Sequence, residues 1–235
     1  MTLAMILFTA LGAVLLVPYI YLRSKRRLLL GLFFKIGISV LFLLTAAAGM
    51  LAVGGDSLPL SAALVVALLF GLLGDVFLDQ KDMYGQHRDT YTFAGFLAFL
   101  AGHFFFIAGL FNAYEPDWKH LLLAAAGGLA VGLGSQALAK PMKMDFGKFK
   151  AISAIYGFVL TFMMGTAFAC YAASWAAQAL WMGVGGALFL LSDLVLSRTY
   201  FGKGHDKPID YILNYVLYYG AQFTIALSLA AVGKG

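Results

Sequence analysis

The sequence predicts an all-α protein that crosses a membrane eight times, and three observations carry that prediction. Of its 235 residues, 62% are hydrophobic and 11% are charged, against about 45–50% and about 25% in a soluble domain. The apolar residues gather into eight runs, each long enough to supply the roughly 20 residues that cross a hydrocarbon core. The Lys and Arg residues fall almost entirely between alternate runs, which is how polytopic chains are oriented. Water cannot be the solvent for most of this surface. A bilayer accepts helices because each satisfies its own backbone.

The runs are read as spans at residues 3–22, 28–53, 59–79, 91–112, 119–138, 151–171, 177–198 and 208–232. With short connections they use up the chain, so 1–235 is expected to be a single transmembrane domain. Turn signals separate the runs at Gly54-Gly55-Asp56, Glu115-Pro116-Asp117 and Lys140-Pro141. No Lys or Arg precedes the first run and no small-x-small site follows it, so it is expected to remain as a span rather than leave as a signal peptide. Cys170 stands alone in an apolar stretch and supports neither a disulfide framework nor a Cys-based metal site.

Orientation follows from the basic residues. Arg23, Lys25, Arg26 and Arg27 follow span one; Lys81 and Arg88 follow span three; Lys140, Lys143, Lys148 and Lys150 follow span five; Arg198, Lys203 and Lys207 close span seven. Only Lys35, Lys119 and Lys234 of the 16 lie elsewhere. The positive-inside rule makes those four connections cytoplasmic and puts both termini on the opposite side. Topology, with attraction to lipid headgroups, accounts for the net charge of +5. Nucleic acid is not an expected partner, because the charges form short connections rather than a groove with stacking aromatics.

An internal repeat is also expected. Leu72-Leu73-Gly74-Asp75-Val76-Phe77-Leu78-Asp79 resembles Leu190-Leu191-Ser192-Asp193-Leu194-Val195-Leu196-Ser197. His87 and His205 lie at equal distances beyond the two aspartates. The implied unit is four spans, residues 1–112 and 119–235, in parallel orientation because the number of spans is even. Coincidence is the alternative, since such a motif is cheap in apolar sequence.

An ionisable group inside a span is expensive and marks a functional site by default. Lys35, Asp75, His103 and Asp193 are of this kind, joined by the softer polar groups Tyr156, Asn214, Tyr218, Tyr219 and Gln222. Counting residues from the expected cytoplasmic end of each span puts Lys35, Asp75, Asp193 and Asn214 roughly 6–11 Å deep and His103 and Tyr218 roughly 15–18 Å deep. The candidates therefore suit one cavity in the cytoplasmic half. Each has a plainer reading: a structural pair for the aspartates, snorkelling for Lys35, a helix contact for His103, bridges between helices for Asn214 and Gln222, and packing for the tyrosines. Asp79, four residues past Asp75, is expected near the surface and solvated. Phe104-Phe105-Phe106 reads as lipid-facing or packing. His87, Asp89, His205 and Asp206 lack a strong metal-ligand spacing, so no metal is expected. No phosphate-binding Gly-rich loop or nucleophile elbow is present. What remains is acid–base chemistry by carboxylates, with one donating a proton and the other orienting water.

These residues resemble the YhhN-type lysoplasmalogenase family. The resemblance rests on Gly74-Asp75 followed by Leu78; on Phe93, Gly95-Phe96, Phe99 and Gly102-His103; on Gly185-Gly186-Ala187-Leu188-Phe189 followed by Ser192-Asp193; and on Tyr218-Tyr219-Gly220-Ala221-Gln222. Lys35 is similar to the Lys of the family's Lys-Pro in the second span, with Ile36 in place of the Pro; Phe106 stands where the family has Tyr. The resemblance implies an eight-span enzyme that hydrolyses the vinyl ether of lysoplasmalogens to a fatty aldehyde and a glycerophospho-base, with no cofactor. It implies Asp75 and Asp193 as the acid–base pair, His103 as their assistant, and Lys35, Tyr156, Asn214, Tyr218 and Gln222 as the lining. The expected partners are a lysolipid substrate and membrane lipids, and the expected location is a bacterial inner membrane. A proton-coupled transporter and a non-catalytic lipid-binding protein are the rival readings; the oligomeric state is open.

The orientation makes a direct prediction. Reporter fusions after Lys25, Lys81, Lys143 and Lys203 read as cytoplasmic, and a fusion at Gly235 does not. A cytoplasmic signal at the C-terminus overturns the assignment.

Overall fold

The computed structural model describes residues 1–53, 57–202 and 208–232. Among them are eight helices long and apolar enough to cross a membrane. These are α1 (Leu3–Ser24), α2 (Leu28–Ala52), α3 (Leu58–Met83), α4 (Arg88–Ala113), α5 (Trp118–Leu138), α6 (Lys150–Ser174), α7 (Ala177–Phe201) and α8 (Pro208–Ser228). The protein is thus all-α and an integral membrane protein. The Gly54-Gly55-Asp56 turn, Lys203, His205, Asp206, Lys207 and Lys234 lie outside the described residues.

Local chemistry sets the helix ends. The Thr2 hydroxyl accepts from the Met5 amide at 3.3 Å, and the Asp117 carboxylate accepts from the Lys119 amide at 2.9 Å; each satisfies an amide that the first turn leaves without a helical partner. Pro59 and Pro208 sit in the first turns of α3 and α8, where a missing N–H costs nothing. α6 ends on Trp175 in the left-handed conformation (φ 55°). Ile36 leaves α2 without a proline and the helix runs unbroken.

Two helices extend beyond their apolar runs. α3 continues through Asp79, Gln80, Lys81 and Asp82 to Met83, and α7 continues to Phe201. Lys81 therefore belongs to a helix and not to the connection after it, and Arg88 opens α4. Helical hydrogen bonding continues here because Lys81 and Asp79 are buried and the carboxylates of this last stretch meet cations from neighbouring helices.

The described residues form two compact units, Met1–Ala113 with Ala226–Val232, and Tyr114–Ile225. In the first, α1 packs on α2, α2 on α3 and α3 on α4. The α3–α4 pair is antiparallel and close: a Cβ at Gly102 would stand 2.9 Å from the Ala67 carbonyl oxygen, and Gly74 lies against the Phe99 ring. Arg23, at the end of α1, bonds Asp82, near the end of α3, at 2.8 Å, so the first and third connections share one end of this unit. In the second unit α5 packs on α6 and α6 on α7. A Cβ at Gly132 would stand 2.6 Å from the Ala154 carbonyl oxygen. The Asp145 amide donates to the Phe201 carbonyl at 2.8 Å, and Phe146 packs on Phe201, so the fifth and seventh connections also share an end.

Without a hydrophobic drive between helices in lipid, such close contacts are a main source of association. Gly102→Leu and Gly132→Leu are each expected to cost about 1–3 kcal/mol of overpacking and to lower the melting temperature in detergent. Gly134→Leu, which meets nothing within 4 Å, serves as the control. Equal melting temperatures for all three variants would show that the backbone approach is not needed.

Candidate functional site

Polar side chains inside the helices form one triad with a serine in the first unit and three separate pairs in the second. In the first unit the centre is Lys35. It lies on α2, and its Nζ stands 3.0 Å from Asp79 Oδ1 and 3.3 Å from Asp75 Oδ1. Ser39, one turn along α2, donates its hydroxyl to Asp75 Oδ2 at 2.7 Å. The spacing explains the grouping: Lys35 and Ser39 share one face of α2, and Asp75 and Asp79 share one face of α3. All four are buried, with Asp75 and Asp79 each 2% exposed. Among the described residues, Asp79 Oδ2 has no hydrogen-bond partner. Lys35 is thus enclosed in an ion-pair triad rather than extended to the interface, one basic side chain between two acidic ones.

Two sequence expectations change here. Asp79 is not solvated at the surface; it is as buried as Asp75 and takes the shorter contact with Lys35. The physical reason is the continuation of α3, which keeps Asp79 facing α2. Ser39, unnoticed in the sequence, completes the first carboxylate's partners. The repeated i, i+4 spacing on both helices was the available signal.

His103, on α4, is buried, and its ring centroid lies 6.4 Å from that of Phe106. Gly102 faces Ala67 and Phe70, and Gly95 faces Leu78. This antiparallel register puts His103 level with Phe70, roughly 7–8 Å along the helix axis from Asp75. Phe104 and Phe105 are exposed, whereas Phe106 is buried.

In the second unit the contacts are hydroxyl and amide bonds. Tyr156, on α6, donates its hydroxyl to Asp193 Oδ2, on α7, at 2.6 Å. Tyr156 is buried and Asp193 half-buried. Beside Asp193, Ser192 faces α8: Asn214 Nδ2 donates to the Ser192 carbonyl at 2.9 Å and to its hydroxyl at 3.0 Å. Asn214 therefore bridges two helices. Further along α8, Gln222 Nε2 donates to the Tyr218 hydroxyl at 2.8 Å. The Tyr218 ring meets Phe189 edge-on at 5.4 Å and Tyr219 at 5.0 Å. The Ser192–Asn214 and Phe189–Tyr218 contacts fix an antiparallel α7–α8 register. Along it, Tyr218 lies about one turn and Gln222 about two turns beyond the level of Asp193.

Eight membrane-length helices among the described residues, with ionisable side chains enclosed between them, define an integral membrane protein. The chain belongs to the YhhN family, whose model matches residues 30–229. That stretch takes in every site candidate, from Lys35 to Gln222, and the family includes lysoplasmalogenases. No solved structure matches the chain.

The triad yields a stability prediction. Lys35→Met leaves two carboxylates facing each other without their cation, a loss typically worth about 3–5 kcal/mol when an ion pair is buried. The variant is expected to melt markedly lower in detergent than wild type. Adding Asp75→Asn and Asp79→Asn removes the unpaired charges and should recover most of the loss. If Lys35→Met melts like wild type, the triad does not hold this unit together.

Proposed function

We propose that the protein is a lysoplasmalogenase-type hydrolase that cleaves the vinyl ether bond of a single-chain glycerophospholipid. Its membership of the YhhN family over residues 30–229 carries the reading, and the carboxylates inside the spans supply the chemistry it needs. The substrate's β-carbon takes a proton, giving an oxocarbenium ion at the α-carbon. Water adds there as a base accepts its proton. The hemiacetal then collapses to a fatty aldehyde, and the glycerol oxygen leaves with a proton. One water is consumed, and the carboxyl groups return to their starting states.

In this reading Asp75 and Asp193 are the two acid–base groups. Asp75, beside the Lys35 ammonium and the Ser39 hydroxyl, acts as the carboxylate that accepts the water's proton and stabilises positive charge. Asp193, whose partner is the neutral Tyr156 hydroxyl, acts as the acid. His103 assists by orienting water. Tyr156 positions Asp193, Lys35 positions Asp75, and Asn214, Tyr218 and Gln222 line the site. The connections rich in Lys and Arg face the cytoplasm, and the lysolipid enters from that leaflet.

The test is aldehyde release from a lysoplasmalogen by the purified protein. Asp75→Asn and Asp193→Asn keep the shape but not the proton chemistry. Each is expected to stay monodisperse in detergent and to lose at least about a hundredfold in kcat. The double variant loses little more than the worse single, because the two act as one unit, and His103→Gln is milder. Two well-folded, fully active aspartate variants would overturn the assignment. A wild-type protein that releases no aldehyde but moves protons across a vesicle membrane would favour a carrier.

A further inference from the structure

The two carboxylates of the triad are not equally occupied. Both Asp75 oxygens have partners: Oδ1 stands 3.3 Å from Lys35 Nζ, and Oδ2 accepts the Ser39 hydroxyl at 2.7 Å. Asp79 Oδ1 takes the same ammonium at 3.0 Å. Asp79 Oδ2 is enclosed and, among the described residues, meets no donor. A buried carboxylate oxygen is held at a high cost unless something donates to it.

Ion pairing alone does not explain Asp79. Lys35 has Asp75 for that purpose, and a second carboxylate beside it adds a desolvation penalty. Nor is Asp79 a solvated group at a helix end, for it is 2% exposed. Ser197 follows Asp193 by the four residues that separate Asp79 from Asp75. Its hydroxyl donates to the Leu194 carbonyl of its own helix at 2.9 Å. A buried carboxylate one turn further on thus accompanies Asp75 and not Asp193.

Size and chemistry set what Asp79 Oδ2 can accept. The group must be a donor and small enough for an enclosed place. Water meets both conditions and has a second O–H to give. Asp75 and Asp79 lie one turn apart on one face of α3, with roughly 5–6 Å between Cβ atoms, and their Oδ1 atoms share Lys35 Nζ. One water making two hydrogen bonds of about 2.7–2.8 Å spans a similar separation. Each carboxylate oxygen has two lone-pair sites, so Asp75 can receive a proton while it keeps Lys35 and Ser39.

We propose that Asp79 holds the hydrolytic water for Asp75, a role that rests on the hydrolase reading above. One O–H of the water bonds Asp79 Oδ2 and the other bonds Asp75, which leaves the water's lone pairs for carbon. As its oxygen adds to the α-carbon of the oxocarbenium ion, the O–H toward Asp75 breaks and that carboxylate takes the proton. The O–H toward Asp79 stays intact, so Asp79 ends the step unchanged.

A competing nucleophile tests the arrangement. Methanol at low concentration also adds to the oxocarbenium ion and gives a mixed acetal. The acetal keeps the glycerophospho group, so mass separates it from the aldehyde. Methanol has one O–H and cannot bond both carboxylates. Wild-type protein acting on a lysoplasmalogen is therefore expected to form less acetal per aldehyde than acid-catalysed solvolysis of the same lipid in the same mixture. In Asp79→Asn the Lys35 ammonium claims the amide oxygen, and the amide nitrogen, a donor, replaces Oδ2. This variant is expected to raise the acetal ratio to that of solvolysis and to lower kcat about tenfold to a hundredfold, with KM for the lipid little changed. Asp79→Glu, which keeps an acceptor, is expected to lie between the two. Asp79→Asn retains the Lys35–Asp75 pair and is checked for monodispersity in detergent. The wild-type ratio needs no variant, so it decides the matter if Asp79→Asn folds poorly. A wild-type ratio equal to that of solvolysis, or a folded Asp79→Asn with the wild-type ratio, overturns the proposal. A folded Asp79→Asn without turnover makes Asp79 the base rather than the holder of its water, and also overturns it. Wild-type protein that forms neither aldehyde nor acetal sinks the hydrolase reading, and this role with it.

Discussion

The contact on which the first unit depends is the Lys35 ammonium between Asp75 and Asp79. A single carboxylate inside a span would have to be neutralised by a proton or by a cation. Here one cation serves two carboxylates, and Ser39 takes an oxygen that the ammonium does not fill. That arrangement fixes the rotation of α2 against α3, since a turn of either helix would leave charge facing lipid. With α3 so oriented, the adjoining side that carries Gly74 and Leu78 presses on α4, and the backbone approach at Gly102 settles the level of His103. One ion-pair triad thus determines how several candidate side chains are presented.

The spans were legible because hydropathy and helix length answer to the same physical quantity, the thickness of the hydrocarbon. Lys35, Asp75 and Asp193 were legible for a related reason: charge within such a run is costly enough to stand out. Asp79 was not, because counting apolar residues ends the span at the first cluster of charges. Whether a helix continues past that point depends on partners from other helices, here Lys35 for Asp79 and Arg23 for Asp82. The Ser192–Asn214 clamp was hidden for a different reason. Its key acceptor is a backbone carbonyl, and nothing in residue identity announces which carbonyl a neighbouring amide will reach.

The two units hold their aspartates in comparable contacts with different chemistry. In each, the aspartate lies on the third helix and accepts a hydroxyl bond from the second: Ser39 to Asp75, Tyr156 to Asp193. Duplication of a four-helix unit would account for this, and we propose it as the origin of the LLxD similarity. The differences are as informative as the likeness. The first unit pairs its aspartate with an ammonium and a second carboxylate. The second unit has Ser197 where the first has Asp79, and among the described residues its aspartate has a phenol for a partner and no ion pair.

Two identical carboxyl sites would make poor acid–base partners, since both would favour the same protonation state. Reaction at a vinyl ether needs one group that gives a proton to carbon and another that takes one from water. Surroundings of unequal charge are how a protein gives two like residues unlike roles. A cation beside one carboxyl and a neutral hydroxyl beside the other is the simplest form of that inequality, and it requires no metal ligand or nucleophile from the chain.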